Sequence, residues 1–182
     1  RMSDTKAGNQ ALEIPAPDRG RLFEIASEQG GYFTAEEAGA CGFSRALLSH
    51  HAKSGRFSRV RRGLYRFREY PSSPREHVLA AWLAVGKDSA VVSHESALDL
   101  QGLSDVIPDA VHLTVPRSRR KLPSIPGVKI HITVRPSRAE DLVTRDSMAV
   151  TSAARSILDA AEAGAVPEQI EMEVFQAMER GM

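Results

Sequence analysis

Between Ser44 and Arg68 the chain carries eight Lys and Arg side chains and no Asp or Glu. A solvated surface segment ordinarily mixes signs, so an all-basic run of 25 residues calls for a partner, and a polyanionic nucleic acid fits it. The residue types suit two kinds of contact. Arg45, on the first turn of a helix, can fork onto the O6 and N7 edge of a guanine. Ser44, Ser49 and His50 can add base or phosphate contacts on the same helix. Lys53, Arg56 and Arg59 read as phosphate neutralisers, which hold a duplex in register without reading its sequence. Arg61 and Arg62 fall at a hairpin tip that can enter a minor groove or grip phosphate, and Arg66 follows on the returning strand. Five or six phosphate contacts imply a log–log salt slope of about −5.

Charge alone does not decide the matter, because basic residues also protect an exposed sheet edge from aggregation. The order of elements around them does. Asp18 is placed to cap a helix with Leu22, Phe23, Ile25 and Ala26 on one face, and Gly30-Gly31 ends it. Tyr32-Phe33 reads as a short strand. Thr34-Ala35-Glu36-Glu37 has the spacing of a capping box opening a second helix through Ala40. Cys41-Gly42-Phe43 is a tight turn, and Ser44 caps a third helix to about Ser54. On that helix Leu48, His51 and Ala52 fall inward, and Arg45, Ala46, Ser49, His50 and Lys53 outward. Phe57–Val60 and Leu64–Phe67 are strands joined at Arg61-Arg62-Gly63. This series predicts a winged helix-turn-helix whose third helix has the width of a major groove.

Beyond a linker at residues 71–74, helices are expected over 74–85, from Ser93 as N-cap to Gly102, from Thr151 or Ser152, and from Pro167. The third of these turns Ala154, Ile157, Leu158 and Ala161 inward. The last turns Ile170, Val174, Phe175 and Met178 inward and Glu168, Glu171 and Glu173 to solvent. Strands are expected at 90–92, 111–115, 128–134 and 148–150. The fold class is therefore α+β: a tail over 1–16, a winged helix-turn-helix over 17–70, and a small mixed α/β domain over 71–182. A second basic cluster, Arg117, Arg119, Arg120 and Lys121, lies between two strands, either as a solvated loop or as a further surface for phosphate, RNA or an acidic partner.

Other chemistry has little support. The single cysteine, Cys41, excludes a disulfide scaffold and reads as a small buried filler in a reducing, cytoplasmic setting. No apolar run reaches the ~20 residues that span a bilayer. His94, His112 and His131 are the candidate metal ligands; His112 and His131 fall on strands, but no carboxylate or cysteine stands at ligand spacing beside them, so satisfied polar contacts on the sheet are expected rather than a metal, and none is expected at the adjacent pair His50-His51. Ser93-His94-Glu95 has hydrolase residue types, but neighbours in sequence do not form a triad, and no G-x-S-x-G elbow exists. No P-loop or G-x-G-x-x-G is present. Asp99, Asp105 and Asp109 lack the lysine-bearing strand of a nuclease. No catalytic residue and no cofactor are expected.

The segment GYFTAEEAGACGFSRALLSHHAKSGRFSRVRRGLYRF resembles the N-terminal domain of AbiEi-family antitoxins, with Gly63 and Tyr65 in the wing. VVSHESALDLQGL, VHLTVP, GVKIH and MAVTSAARSILDAAE keep that family's order, so the resemblance runs over roughly 18–180. It implies a bacterial antitoxin that binds inverted repeats in its own promoter, represses its operon and counteracts an AbiEii-type nucleotidyltransferase toxin without a stable complex. Two copies, monomeric in solution, would pair on the repeats. Arg1 ahead of Met2 reads as an addition, and the ending at Arg180-Gly181-Met182 suggests that a C-terminal piece is missing. The rival readings are a stand-alone winged-helix regulator and an enzyme, nuclease or kinase-like, in the second half.

Overall fold

The computed structural model describes residues 16–182, so the tail expected over 1–16 lies almost wholly outside the described residues. The chain forms a mixed α+β structure with two sheets. The first half comprises α1 (Arg19–Ser27), β1 (Tyr32–Thr34), α2 (Ala35–Ala40), α3 (Arg45–Lys53), β2 (Phe57–Arg61) and β3 (Leu64–Phe67). Its three strands are antiparallel in the order β1-β3-β2, which leaves β2 on an edge.

Local rules set most of these boundaries. Asp18 accepts from the Arg21 N–H at 2.9 Å and Ser44 from the Leu47 N–H at 3.1 Å, each capping its helix. Thr34 and Glu37 exchange side-chain and backbone bonds in a full capping box. Gly31 turns the chain out of α1 at φ +86°, and a Cβ there would stand 2.5 Å from the Tyr70 side chain, so both backbone and packing require glycine.

The second half comprises α4 (Glu76–Val85), β4 (Val91–Val92), α5 (His94–Leu100), β5 (Val111–Pro116), β6 (Val128–Thr133), β7 (Leu142–Arg145), β8 (Met148–Thr151), α6 (Ala153–Glu162) and α7 (Pro167–Glu179). Its five strands run in the order β6-β5-β4-β8-β7, with β5/β6 and β4/β8 parallel and the other pairs antiparallel. Strand β7 was not expected. It is paired to β8 through a two-residue turn in which Asp146 and Ser147 both take left-handed φ, 47° and 66°. Asp tolerates this conformation, and such turns match the twist of a hairpin. Strand β6 ends at Thr133, one residue before the expected Val134, which is exposed.

Three hydrophobic clusters hold the molecule. One lies within the first half around Leu22, Phe33, Leu48, Phe57 and Phe67. The largest is built on α4 and takes in both Val92, Leu113 and Val150 of the large sheet and Tyr32 and Leu64 of the small one. The third joins α5, α6 and α7 through Leu98, Ile157, Ala160 and Ala177.

Here two expected helix faces are corrected. On α6 the buried positions are Ala153, Ser156, Ile157, Asp159 and Ala160, while Ala154, Leu158 and Ala161 face out. On α7 Val174, Phe175 and Met178 are exposed and Glu173 is 1% exposed; Ile170 is partly buried. The small side chains of Ala153, Ala160 and Ala177 set this rotation by meeting in the shared cluster. Glu168 and Glu171 do lie in solvent. Among the described residues no helix is long and apolar enough to cross a membrane.

Polar contacts fasten the halves together. Lys87 Nζ, beyond α4, donates to Glu37 Oε1 and Gln29 Oε1, both at 2.7 Å. Burial pushes the Glu37 carboxyl upward, but bonds from Lys87, the Thr34 N–H and Gln29 outweigh it and hold it below the usual carboxylate range. A carboxyl depressed in the folded state contributes stability above its unfolded value of about 4.3, and that contribution is lost as pH falls through the folded value. Glu37→Gln should therefore lower Tm at ~pH 7, with the gap to wild type closing towards ~pH 3 in thermal melts. Thr34→Ala should cost about 1 kcal/mol, read by denaturant unfolding.

Candidate nucleic-acid interface

Helix α3 is anchored by its inner side. Leu48 is buried, and the half-buried His51 ring meets Phe57 edge-on at 5.1 Å and Phe43 at 6.0 Å. Burial holds the His51 imidazole below its usual range, and the positive charge of Arg56 adds to this. Because Phe57 opens β2, the same aromatic contact sets helix beside hairpin; its ring also packs against Phe33 at 4.9 Å and Phe67 at 5.0 Å. The opposite side of α3 is free: Ser44, Arg45, Ala46, Ser49, His50 and Lys53 are all exposed.

The hairpin carries the rest of the basic run. Phe57 pairs with Phe67, Ser58 with Arg66, Arg59 with Tyr65 and Arg61 with Leu64, so Val60 is an extra residue on β2. Such a bulge increases the local twist of an edge strand. The reversal runs through Arg62-Gly63, with Gly63 at φ +76°. Arg56, Arg59 and Arg62 are exposed, and Arg61 is half-buried. Arg61 Nη1 lies 3.5 Å from the Pro126 carbonyl oxygen, which brings the hairpin tip against the loop preceding β6.

Arg66 departs from the expectation that it faces a ligand. Its side chain is 13% exposed, donates to the Pro71 carbonyl at 2.8 Å, pairs with Glu76 at 3.4 Å and lies over the Tyr32 ring. Every one of these contacts is internal, so its charge is used to join β3 to the start of α4. No local pattern marks it off from its basic neighbours; only the approach of α4 does.

In the second basic cluster Arg117, Arg119, Arg120 and Lys121 are exposed. Arg119 donates to the Val85 carbonyl at 2.7 Å, satisfying the last turn of α4, and Arg120 bonds back to the Arg117 carbonyl. Both have local work, whereas Arg117 and Lys121 make no ion pair among the described residues.

The three histidines weighed in the sequence as metal ligands, and set aside there, come together in the fold. His94, His112 and His131, from α5, β5 and β6, each present a ring nitrogen within 4.8 Å of the others. His112 Nδ1 is 2.9 Å from His131 Nε2 and 3.2 Å from Glu95 Oε2, so a carboxylate does stand beside these histidines. Glu95 Oε2 is close enough to pair but not aligned to accept a hydrogen bond, and it is buried without a partner among the described residues. Burial is the main cause that lowers all three imidazoles below their usual range; charge from neighbouring histidines adds to it at His94 and His131 and charge from Lys129 at His112, and His94 falls to about 4.

Ser93 occupies the N-cap position of α5 but does not cap it. Its hydroxyl instead bonds His94 Nδ1 at 2.8 Å and accepts from Thr114 Oγ1 at 2.7 Å. This contact between neighbours arises because His94 has φ +53°. Ser93 is wholly buried, so it offers no nucleophile to a substrate.

The family described as transcriptional regulator, AbiEi antitoxin, matches residues 21–68, which span the three helices and the basic hairpin from α1 to the end of β3. No curated protein matches the chain. Removing the inner anchor should be costly: Leu48→Ala is expected to lose about 2–5 kcal/mol. Arg66→Ala should lose about 1–3 kcal/mol through its charged hydrogen bonds, whereas Arg45→Ala and Arg62→Ala should stay within about 0.5 kcal/mol. Chemical denaturation of the four variants checks this separation.

Proposed function

We propose that residues 17–70 are a winged helix-turn-helix that binds double-stranded DNA, with α3 in the major groove and the β2–β3 hairpin as the wing. The single observation that carries this reading is the exposed, acid-free face of α3 seated against the basic hairpin, within the stretch that matches an antitoxin and transcriptional-regulator family. Arg45 reads a base edge; Ser44, Ser49 and His50 add nearby contacts. Lys53, Arg56, Arg59, Arg61 and Arg62 neutralise phosphate. Arg66 has no part in it. The contact of Arg61 with the Pro126 loop allows Arg117 and Lys121 to extend the phosphate-binding surface.

On this reading the protein is an autorepressor and antitoxin. It occupies inverted repeats in its own promoter, two copies pairing on the DNA, and counteracts a nucleotidyltransferase toxin without forming a stable complex with it. Residues 71–182 form the α/β module that supports the DNA-binding half and carries the neutralising role. Repression needs only occupancy, so no catalytic residue is invoked.

Gel shifts on the upstream region of its own gene test the DNA reading. Arg45→Ala should weaken operator binding by about 1–3 kcal/mol and relax preference at one base position. Arg61→Ala with Arg62→Ala should weaken all duplexes alike and flatten the salt slope by about 2. Unchanged operator affinity in both variants would overturn the assignment. Co-expression with the toxin encoded beside it, together with each half alone, tests the antitoxin role; a neighbouring gene of any other kind favours the stand-alone regulator.

A further inference from the structure

We propose that His94, His112 and His131, with the carboxylate of Glu95, form a binding site for a borderline divalent cation of the zinc class. The donor set is three imidazoles and one carboxylate, which suits Zn²⁺ and its neighbours rather than Mg²⁺ or Ca²⁺. Around a tetrahedral Zn²⁺, with Zn–N of about 2.0–2.1 Å, donor atoms stand about 3.3 Å apart. His112 Nδ1 and His131 Nε2 are 2.9 Å apart, Glu95 Oε2 is 3.2 Å from the first, and the three histidine nitrogens all lie within 4.8 Å. His94 lies stacked on His131 with centroids 3.6 Å apart, and because imidazole lone pairs lie in the ring plane, its ring has to turn out of that stack to bring a nitrogen to the ion.

Two features point to a cation rather than a plain hydrogen-bonded cluster. A proton shared between His112 and His131 accounts for their 2.9 Å contact but leaves the buried Glu95 Oε2 unpartnered. A cation takes both. The left-handed backbone of His94, at φ 53°, is rare for a residue with a side chain and is strained. It carries the ring back over His131, with centroids 3.6 Å apart, while Ser93 holds Nδ1.

That Ser93 bond, itself backed by Thr114, is the outer-shell contact that fixes the orientation of a ligating imidazole and leaves Nε2 for the ion. Glu173 on α7 is also buried, with Oε2 unpartnered among the described residues and Oε1 accepting from Gln169 at 3.1 Å.

A surface cavity of about 410 Å³, lined in part by Glu95, His112, Lys129 and Gln169, gives the ion a way in. Once bound, it would tie the start of α5 to β5 and to the edge strand β6. None of its ligands belongs to the basic surface, so this site stands or falls apart from the DNA-binding reading.

The test uses the full chain, stripped with a chelator and confirmed folded by circular dichroism. Zn²⁺ is titrated by calorimetry, and Co²⁺ by its visible absorption. One equivalent of each should bind, with the intense absorption of a four-coordinate Co²⁺, and Zn²⁺ should raise Tm. His131→Asn, on the half-exposed edge strand, should lose at least about 100-fold in affinity, and Ser93→Ala, which acts only through His94, about 10- to 100-fold. His77→Gln, on an exposed histidine, should bind as wild type does. Absence of stoichiometric uptake by the folded wild-type chain would overturn the proposal; so would a six-coordinate Co²⁺ spectrum, or full affinity in His131→Asn. If His131→Asn does not fold, the wild-type titration and Co²⁺ spectrum decide alone.

Discussion

The edge-on packing of His51 against Phe57, with Phe43 tilted against Phe57, is the contact through which helix α3 and the basic hairpin become one surface. Each ring is contributed by a different segment, the turn before α3, the helix itself and the first residue of β2. Aromatic pairs of this kind fix relative angle as well as distance. With Leu48 beneath them, they commit one side of a nine-residue helix to the core and leave the other side to solvent. A groove-binding helix has to meet this condition: held firmly from behind, with nothing in front of it.

The second constraint is the shared core around α4. Tyr32 and Leu64 belong to the small sheet, yet they pack in the same cluster as the strands of the large one. Arg66–Glu76 and Lys87–Glu37 cross the same junction. A dry contact supported by partly buried ion pairs resists the free tumbling expected of modules joined by a plain linker. It also fixes where the loop containing Pro126 sits relative to the hairpin tip, and so which basic residues of the second half can extend the first surface.

The polar cluster in the second half is built differently. Most buried polar groups in this chain are satisfied by ordinary bonds, as with Trp82 donating to the Ala90 carbonyl at 2.7 Å. Around His94, strain, an unpartnered carboxylate and stacked imidazoles occur together. Backbone strain and an unpartnered buried carboxylate oxygen are each costly singly, and their coincidence beside three imidazoles sets this cluster apart from the other buried polar groups.

Sequence alone determined whatever depends on near neighbours. The caps at Asp18, Thr34 and Ser44, the glycine turns, and the inward and outward sides of α3 follow from hydrogen-bond geometry and helical period within a few residues. The charge run needs no structure at all. Tertiary structure decided whatever depends on partners far along the chain. Arg66 looks like its basic neighbours until Glu76 and two tyrosine rings close around it. The faces of α6 and α7 were set by where small alanines permit close approach, not by the apolar count on each face. His94, His112 and His131 lie up to 37 residues apart in sequence and meet only because β5 and β6 pair in parallel, with Thr114 opposite His131, next to the start of α5. Spacing rules for ligands assume a shared helix or turn, and a site assembled across two strands and a helix leaves no such spacing to read.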